Sequence, residues 1–175
     1  MGDGLLDTAS QVEFAVTAKL EGMQSPLLDI VADARKLNNR VVLVVGGSGS
    51  GRAHQLRIAA AALGVQVTNL GVAYSRHLVA VPRLRRPLDA GHALRFATTC
   101  VASLEQPLFL DRLEVLFERS LRIDPLDALR RLGHARTVVA AWPGVCRDGR
   151  LIYAAPGHPE HRDYPTAGVM IHEIH

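Results

Sequence analysis

The chain has 175 residues, of which 48% are hydrophobic, and its 20 basic and 17 acidic side chains leave a net charge of +3. This apolar content excludes an intrinsically disordered chain, and the length is sufficient for one domain with its own core. No apolar run approaches the ~20 residues that span a bilayer, so we predict no membrane contact. The first residues carry no basic stretch followed by an apolar one, which predicts a cytoplasmic protein without a secretory signal.

Arginine makes up 18 of the 20 basic residues, which reflects coding bias or provides a patch suited to bidentate phosphate contacts. The two cysteines, Cys100 and Cys146, lie far apart and belong to no metal-binding pattern. We therefore expect two buried, reduced thiols rather than a disulfide or a metal site.

In the first half of the chain, apolar residues alternate between helical spacing and short continuous runs. Ser25-Pro26 is a typical helix start, and the β-branched run Val41–Val45 is typical of a central parallel strand. The predicted elements are helices over 5–20, 26–37, 52–63 and 72–81, and strands over 41–45 and 65–70.

The second half continues the alternation, with helices over 88–103, 113–120 and 125–132 and strands over 107–111, 137–142 and 169–174. Asp148-Gly149 predicts a hairpin whose returning strand is 151–154, and 156–165 is expected to be an irregular loop. Strands alternating with helices predict an α/β fold, here a three-layer sandwich with a mainly parallel central sheet and helices on both faces. We expect a single domain over 1–175, in which 1–39 form a helical extension and 40–175 a core with a C-terminal hairpin.

A glycine-rich stretch directly follows the predicted strand Val41–Val45 and precedes a predicted helix. Gly46 and Gly51 have the spacing of the two glycines in the phosphate loop G-x-x-x-x-G-K-[ST]. The motif also requires a strand before the loop and a helix after it, as predicted here. Glycines let successive N–H groups point inward, and the helix start adds a partial positive charge, so an anion such as a nucleotide phosphate fits there. The predicted ATP- or ADP-binding residues are Gly46, Gly47, Ser48, Gly49, Ser50, Gly51, Arg52 and Ala53.

The last two loop positions depart from the motif. Arg52 replaces the lysine and keeps the charge with a larger, planar group, whereas Ala53 removes the hydroxyl that normally binds magnesium. The alternative is a glycine-rich turn that binds nothing. We expect a P-loop NTPase-like fold with a degenerate loop, doubtful magnesium binding and inefficient hydrolysis.

The stretch Leu108–Asp111 is typical of an acidic strand end beside a phosphate loop. Asp111 is the candidate magnesium ligand and, with Glu114 one turn later, a candidate catalytic residue that polarises water. The alternatives are that Asp111 caps the following helix and that Glu114 is a solvated acid.

A cluster of three arginines, Arg83, Arg85 and Arg86, lies between prolines in a predicted connector. It either contacts DNA phosphates, or reaches a neighbouring subunit's nucleotide, or is a solvated connector whose side-chain stems cover apolar surface.

Two further features of the second half have competing interpretations. Trp142 could stack on a base or pack against a partner, but the pattern favours an anchor for the hairpin. His158 and His161 are expected in a surface loop, with metal binding a minor alternative because adjacent ligands are missing.

From Val41 to Ile174 the chain resembles the BrxF family, small P-loop proteins of one subtype of the BREX bacteriophage-exclusion systems. The tract from Trp142 to Glu160 is its most specific part, because generic P-loop proteins do not share it. The matching residues are the loop 46–53, Pro82-Arg83, Arg86-Pro87, Leu110-Asp111, Glu114, Phe117, Asp124-Pro125, 136–139, Trp142-Pro143-Gly144, 148–151 and 156–160.

The resemblance implies a nucleotide-binding-type subunit of an anti-phage complex that contains a larger ATPase, a DNA methyltransferase and a phosphatase-like protein. We expect it to act through assembly with itself or with these partners. The alternatives are a DNA-binding module with a vestigial loop and a functional magnesium-dependent ATPase.

Overall fold

The computed structural model describes residues 25–47, 49–99, 103 and 105–174, so the helix predicted over 5–20 lies outside the described residues. The described α-helices are α1 (Pro26–Ala34), α2 (Arg52–Ala62), α3 (Leu70–Val79), α4 (Arg86–Thr99) and α5 (Pro125–Ala135). The strands are β1 (Val41–Val45), β2 (Val67–Asn69), β3 (Leu108–Asp111), β4 (Val138–Trp142), β5 (Val145–Arg147), β6 (Arg150–Tyr153), β7 (Arg162–Pro165) and β8 (Met170–Glu173).

Five strands form a central sheet in the order β2-β3-β4-β1-β8, and every neighbouring pair in it is parallel. The prediction of an α/β fold around a parallel sheet is therefore confirmed. A second, antiparallel sheet of β5, β6 and β7 contains the predicted hairpin, whose turn is Asp148-Gly149.

Helices cover both faces of the central sheet, which explains the continuous apolar run of β1. Val42 and Val44 pack in one cluster with α1 and α2. Val41, Leu43 and Val45 pack in the other with α3, α4 and α5. A strand that is buried on both faces needs apolar residues at every position, and all five residues of β1 are buried.

Two helix starts on the second face are capped by side chains as expected from their residue types. The Asn69 side chain accepts the N–H of Val72 at 3.0 Å, and Asp124 accepts the N–H of Asp127 at 2.7 Å. Pro125 follows Asp124 at the first helical position, where its missing N–H costs no hydrogen bond. These caps satisfy N–H groups in the first turns of α3 and α5.

Two predicted elements are wrong in kind. The stretch 113–120 forms two 3₁₀ turns, Leu113–Phe117 and Arg119–Leu121, because the chain enters with Arg112 at φ 60° and the non-helical backbone of Glu118, with ψ 113°, separates the turns. The stretch 156–165, expected to be an irregular loop, ends in β7, which pairs with β6. Proline is compatible with an edge strand, so Pro165 did not exclude one.

Within the part of the chain that the structure describes, every helix is too short or too polar to cross a bilayer.

Candidate functional site: the phosphate-loop cleft

The glycine-rich loop lies at the carboxyl edge of the parallel sheet, where it connects β1 to α2. β4 lies between β1 and β3 in the sheet, so the loop and the acidic end of β3 flank the end of β4. In open α/β sheets, ligands bind outside this edge of the strands. The fold therefore brings the loop and Asp111 to the position where such sites occur.

Gly46 is needed because there is no room for a side chain. A Cβ atom at this position would lie 2.4 Å from Ser50 Oγ and 3.0 Å from the carbonyl oxygen of Ile174. The Ser50 hydroxyl is buried and makes no hydrogen bond with the described residues. The loop thus folds tightly over its first glycine and against the residue that follows β8.

Gly49 and Gly51 are needed for a different reason, because their backbones have φ of +81° and +87°. Side chains at such angles are strained, whereas glycine adopts them freely. The Gly51 carbonyl accepts the N–H groups of His54 and Gln55, so Gly51 caps the first turn of α2. Ser48, between these glycines, lies outside the described residues.

A cleft of about 300 Å³ lies between this loop and the end of β3. It brings together the loop residues and both candidate acids, Asp111 and Glu114, as the sequence predicts. His54, Arg57 and Arg112 also line it and were missed. His54 and Arg57 follow the loop in the first turns of α2, so helical spacing could have indicated them, whereas no local signal marked Arg112. The lining residues are Gly47, Gly49, Ser50, Gly51, Arg52, Ala53, His54, Arg57, Asp111, Arg112 and Glu114.

The Arg52 side chain crosses the cleft floor to the neighbouring strand. One terminal nitrogen, Nη1, donates a hydrogen bond to the main-chain carbonyl oxygen of Trp142, the last residue of β4. Burial lowers the pKa of Arg52, and the negative charges of Glu114 and Asp111 oppose this effect. The guanidinium therefore lines the same cleft as the two acids and is close enough to feel their charges.

Asp111 has a local partner as well as a place in the cleft. Its Oδ1 accepts the N–H of Arg112 at 2.8 Å, as expected if it stabilises the turn after β3. Glu114 is exposed on the first 3₁₀ turn. Both acids line the same cleft as Arg52, and their catalytic role remains a prediction.

An aromatic cluster joins the antiparallel sheet to the 3₁₀ turn that carries Glu114. Tyr153 stacks on Phe117 with ring centroids 3.7 Å apart, and its hydroxyl lies 3.4 Å from a carboxylate oxygen of Glu160. Burial raises the pKa of Tyr153, and the charges of Glu160 and Glu114 raise it further. Tyr153 was not predicted as a site residue, because this contact depends on how the hairpin folds back.

Trp142 is fully buried, so it neither stacks on a bound base nor reaches a partner protein. Its ring lies edge-on to Phe117 at 5.3 Å and to Tyr164 of β7 at 6.0 Å. The interpretation of Trp142 as the anchor of the hairpin is confirmed. Its indole nitrogen, Nε1, is buried without a hydrogen-bond partner among the described residues.

The arginine cluster lies on another surface and does not line the phosphate-loop cleft. Arg83 and Arg85 are exposed on a 3₁₀ turn between α3 and α4. Arg86 differs from them, because its Nε donates to the carbonyl oxygen of Val81 at 3.1 Å and so holds the turn. A DNA contact or a contact to a neighbouring subunit remains a prediction for this cluster.

The histidine and cysteine residues were expected to be structural. His161 Nδ1 lies 3.0 Å from the carbonyl oxygen of Ala154, and His158 accepts the N–H of Glu160, so both rings hold their own loop. The described residues contain no group of three or more histidine, cysteine or acidic side chains that could hold a metal ion. Cys146 is a free thiol that is partly rather than fully buried, because β5 lies in the outer sheet, and Cys100 lies outside the described residues.

No protein-family model matches the chain, and neither the curated proteins nor the solved structures include a significant match. The function must therefore be argued from the cleft and from the residues that line it.

Proposed function

We propose that this protein is a P-loop NTPase-like subunit that binds the phosphates of ATP or ADP at residues 46–53 and hydrolyses them poorly or not at all. The observation that carries the proposal is the position of Arg52, which lines one cleft together with the glycine loop, Asp111 and Glu114. Backbone N–H groups at the start of α2 supply further donors for an anion.

Magnesium does not fit this set of residues in the way that phosphate loops hold it. Ala53 has no hydroxyl, so the magnesium ligand that a phosphate loop normally supplies is missing and Asp111 is the one candidate ligand left from the sequence prediction. The guanidinium of Arg52 lines the same cleft and supplies positive charge there without a metal ion. Phosphate binding should therefore be independent of magnesium, and efficient hydrolysis, which relies on a metal ion to neutralise developing charge, is not expected.

We further propose that the protein serves a BREX-type anti-phage complex in the cytoplasm and works by assembly rather than by turnover. The most specific part of the resemblance is the tract from Trp142 to Glu160, which contains the hairpin of β5 and β6. No residue with a side chain fits at Gly144 in this tract, because its Cβ would lie 1.9 Å from the carbonyl oxygen of Ile152. On this proposal the tract responds to a ligand in the cleft through the hydrogen bond from Arg52 to the carbonyl oxygen of Trp142.

The first test is a titration of the purified protein with labelled ATP and ADP, with magnesium and with a chelator. Gly51→Asp should abolish binding, because it places a carboxylate at the mouth of the loop and strains a backbone at φ +87°. Gly157→Asp is a matched control, since Gly157 has φ +89° and equally open surroundings but does not line the cleft.

Saturable binding that persists in chelator, is lost in Gly51→Asp and is kept in Gly157→Asp would support the nucleotide proposal. Absence of binding at millimolar nucleotide would reject it. The assembly proposal has a separate test, the efficiency of phage plating on cells that carry a complete BREX system. Deleting the gene should abolish protection, and unchanged protection after deletion would refute that part.

A further inference from the structure

Arg112 brings positive charge to the phosphate-loop cleft from the end of β3. It directly follows that strand, whereas Arg52 begins α2 after the loop that follows β1, so the two arginines line one cleft from the ends of two different strands. Burial is the main cause that lowers the pKa of Arg52, and the positive charge of Arg112 adds to this effect. The two guanidinium groups are therefore close enough to repel one another, an arrangement that an anion bound to both would stabilise.

The backbone of Arg112 has a conformation that arginine rarely adopts. Its φ is 60° and its ψ is 55°, in the left-handed region that favours glycine over residues with a side chain. The N–H of Arg112 donates to Asp111 Oδ1 at 2.8 Å, and a Cβ at Gly71 of α3 would lie 3.6 Å from the Arg112 Cβ. The hydrogen bond uses a main-chain atom, so this turn does not require the arginine side chain. Residues in such conformations cluster at ligand-binding sites, where the side chain is needed for another purpose.

The charged side chains that line the cleft leave a surplus of positive charge without a metal ion. The arginines are Arg52, Arg57 and Arg112, and the acids are Asp111 and Glu114. The ion pairs among the described residues do not include these three arginines. A polyphosphate that binds without a metal ion needs such cations, because the charge of each of its phosphates must be neutralised by the protein.

We propose that Arg112 binds the terminal phosphate of a nucleoside triphosphate and gives the cleft a preference for ATP over ADP without a metal ion. This inference rests on the proposed function, which assigns the phosphates to residues 46–53. In a phosphate loop, main-chain N–H groups hold the α- and β-phosphates, and the residue at the position of Arg52 reaches the β- and γ-phosphates. The γ-phosphate is then the group nearest the end of β3, where Arg112 lines the cleft. Arg52 and Arg112 together supply the positive charge that magnesium supplies in other phosphate loops.

Titrations of the full-length protein with ATP and with ADP, both in a chelator, test the inference. The wild-type protein should bind ATP more tightly than ADP by about 10-fold or more, the usual effect of one additional charge-assisted hydrogen bond. Arg112→Gly should bind ATP as weakly as ADP and keep the wild-type affinity for ADP, because it removes the guanidinium and retains the N–H that Asp111 accepts. Since glycine adopts φ 60° freely, the urea midpoint of this variant should not fall.

Arg122→Gly is the matched control for this variant. Arg122 is also an arginine in the left-handed region, with φ 53°, but it does not line the cleft. The control therefore makes the same chemical change and relieves the same kind of backbone strain at a distance from the ligand. It should keep the wild-type ratio of the ADP and ATP dissociation constants.

Equal affinities of the wild-type protein for ATP and ADP would overturn the inference and leave the proposed function standing, and so would a preference for ATP that Arg112→Gly retains. An equal loss of affinity for both nucleotides in Arg112→Gly, together with a lower urea midpoint, would assign Arg112 to the stability of its turn and would also overturn the inference. Absence of saturable binding of either nucleotide to the wild-type protein would reject the proposed function itself, and the inference with it.

Discussion

The guanidinium of Arg52 donates a hydrogen bond to the carbonyl oxygen of Trp142, so the first residue of α2 is fastened to the last residue of β4. This bond connects two structural units, because Trp142 also anchors the hairpin through Tyr164. A ligand that draws Arg52 toward its phosphates would weaken the bond at the point where the hairpin leaves the central sheet. If the proposed function is right, Arg52 is therefore the side chain through which a bound phosphate would affect the hairpin.

Replacing Arg52 with alanine should weaken ADP binding by roughly 10- to 150-fold, which corresponds to the loss of one charge-assisted hydrogen bond of about 1.5–3 kcal/mol. Isothermal titration or fluorescence titration checks this. Arg76→Ala removes an exposed arginine outside the cleft and should leave the affinity unchanged. Equal affinities in wild type and Arg52→Ala would show that Arg52 does not contact the ligand.

Gly46→Ala should lower the free energy of unfolding by about 1–3 kcal/mol, the usual cost of forcing an extra carbon into a packed site. The new Cβ would lie 2.4 Å from Ser50 Oγ, so adding Ser50→Gly should recover part of the loss. Gly47→Ala is the control, since a Cβ there meets nothing within 4 Å. Urea unfolding measures all three, and equal stability of the two alanine variants would contradict the packing argument.

Trp142→Ala should cost about 3–5 kcal/mol of stability because it empties a fully buried site between Phe117 and Tyr164. Trp142→Phe should cost much less, because it keeps an aromatic ring and removes an indole N–H that has no described partner. Thermal and urea unfolding of the two variants gives the comparison. Similar losses in both would indicate that the indole N–H is satisfied in solution.

His172 should make stability fall as the pH is lowered through the neutral range. Burial in β8 depresses its pKa below the usual 6.5, so below that value the unfolded chain binds a proton that the folded chain resists. Stability attributable to His172 is present above pH 6.5 and is lost as the pH falls toward the depressed folded value. His172→Gln should therefore reduce the change in unfolding free energy between about pH 7 and pH 5, where histidines titrate. Replacing exposed His92 with glutamine should leave the pH dependence of the unfolding free energy unchanged. If that pH dependence also persists in His172→Gln, it arises from other groups.

The parts of the fold that the sequence predicted are those with strong local patterns. The run Val41–Val45 is apolar at every position, which only a strand covered on both faces requires, and the loop after it has glycines at fixed spacing. Asp111 was placed in the site because it ends an apolar strand, and parallel strands end at a common edge. These inferences need no knowledge of distant contacts.

The parts that were missed depend on contacts between residues far apart in the sequence. β7 has charged residues and a proline, and it becomes a strand because β6 offers it a partner. Tyr153 reaches the charge of Glu114 once the hairpin has folded back. The bond between Arg52 and Trp142 spans 90 positions, and no local pattern marks its acceptor, a main-chain carbonyl.

The position of β8 has a consequence for the order in which this protein can mature. Val42 pairs with Met170, and the Ile174 N–H donates to the carbonyl of Val45 at the base of the phosphate loop. Closing this pairing requires a chain loop of about 130 residues, and such long closures are slow steps in folding. The base of the glycine loop in a nascent chain therefore lacks this support until β8 has been synthesised, so we expect the cleft to form late in folding.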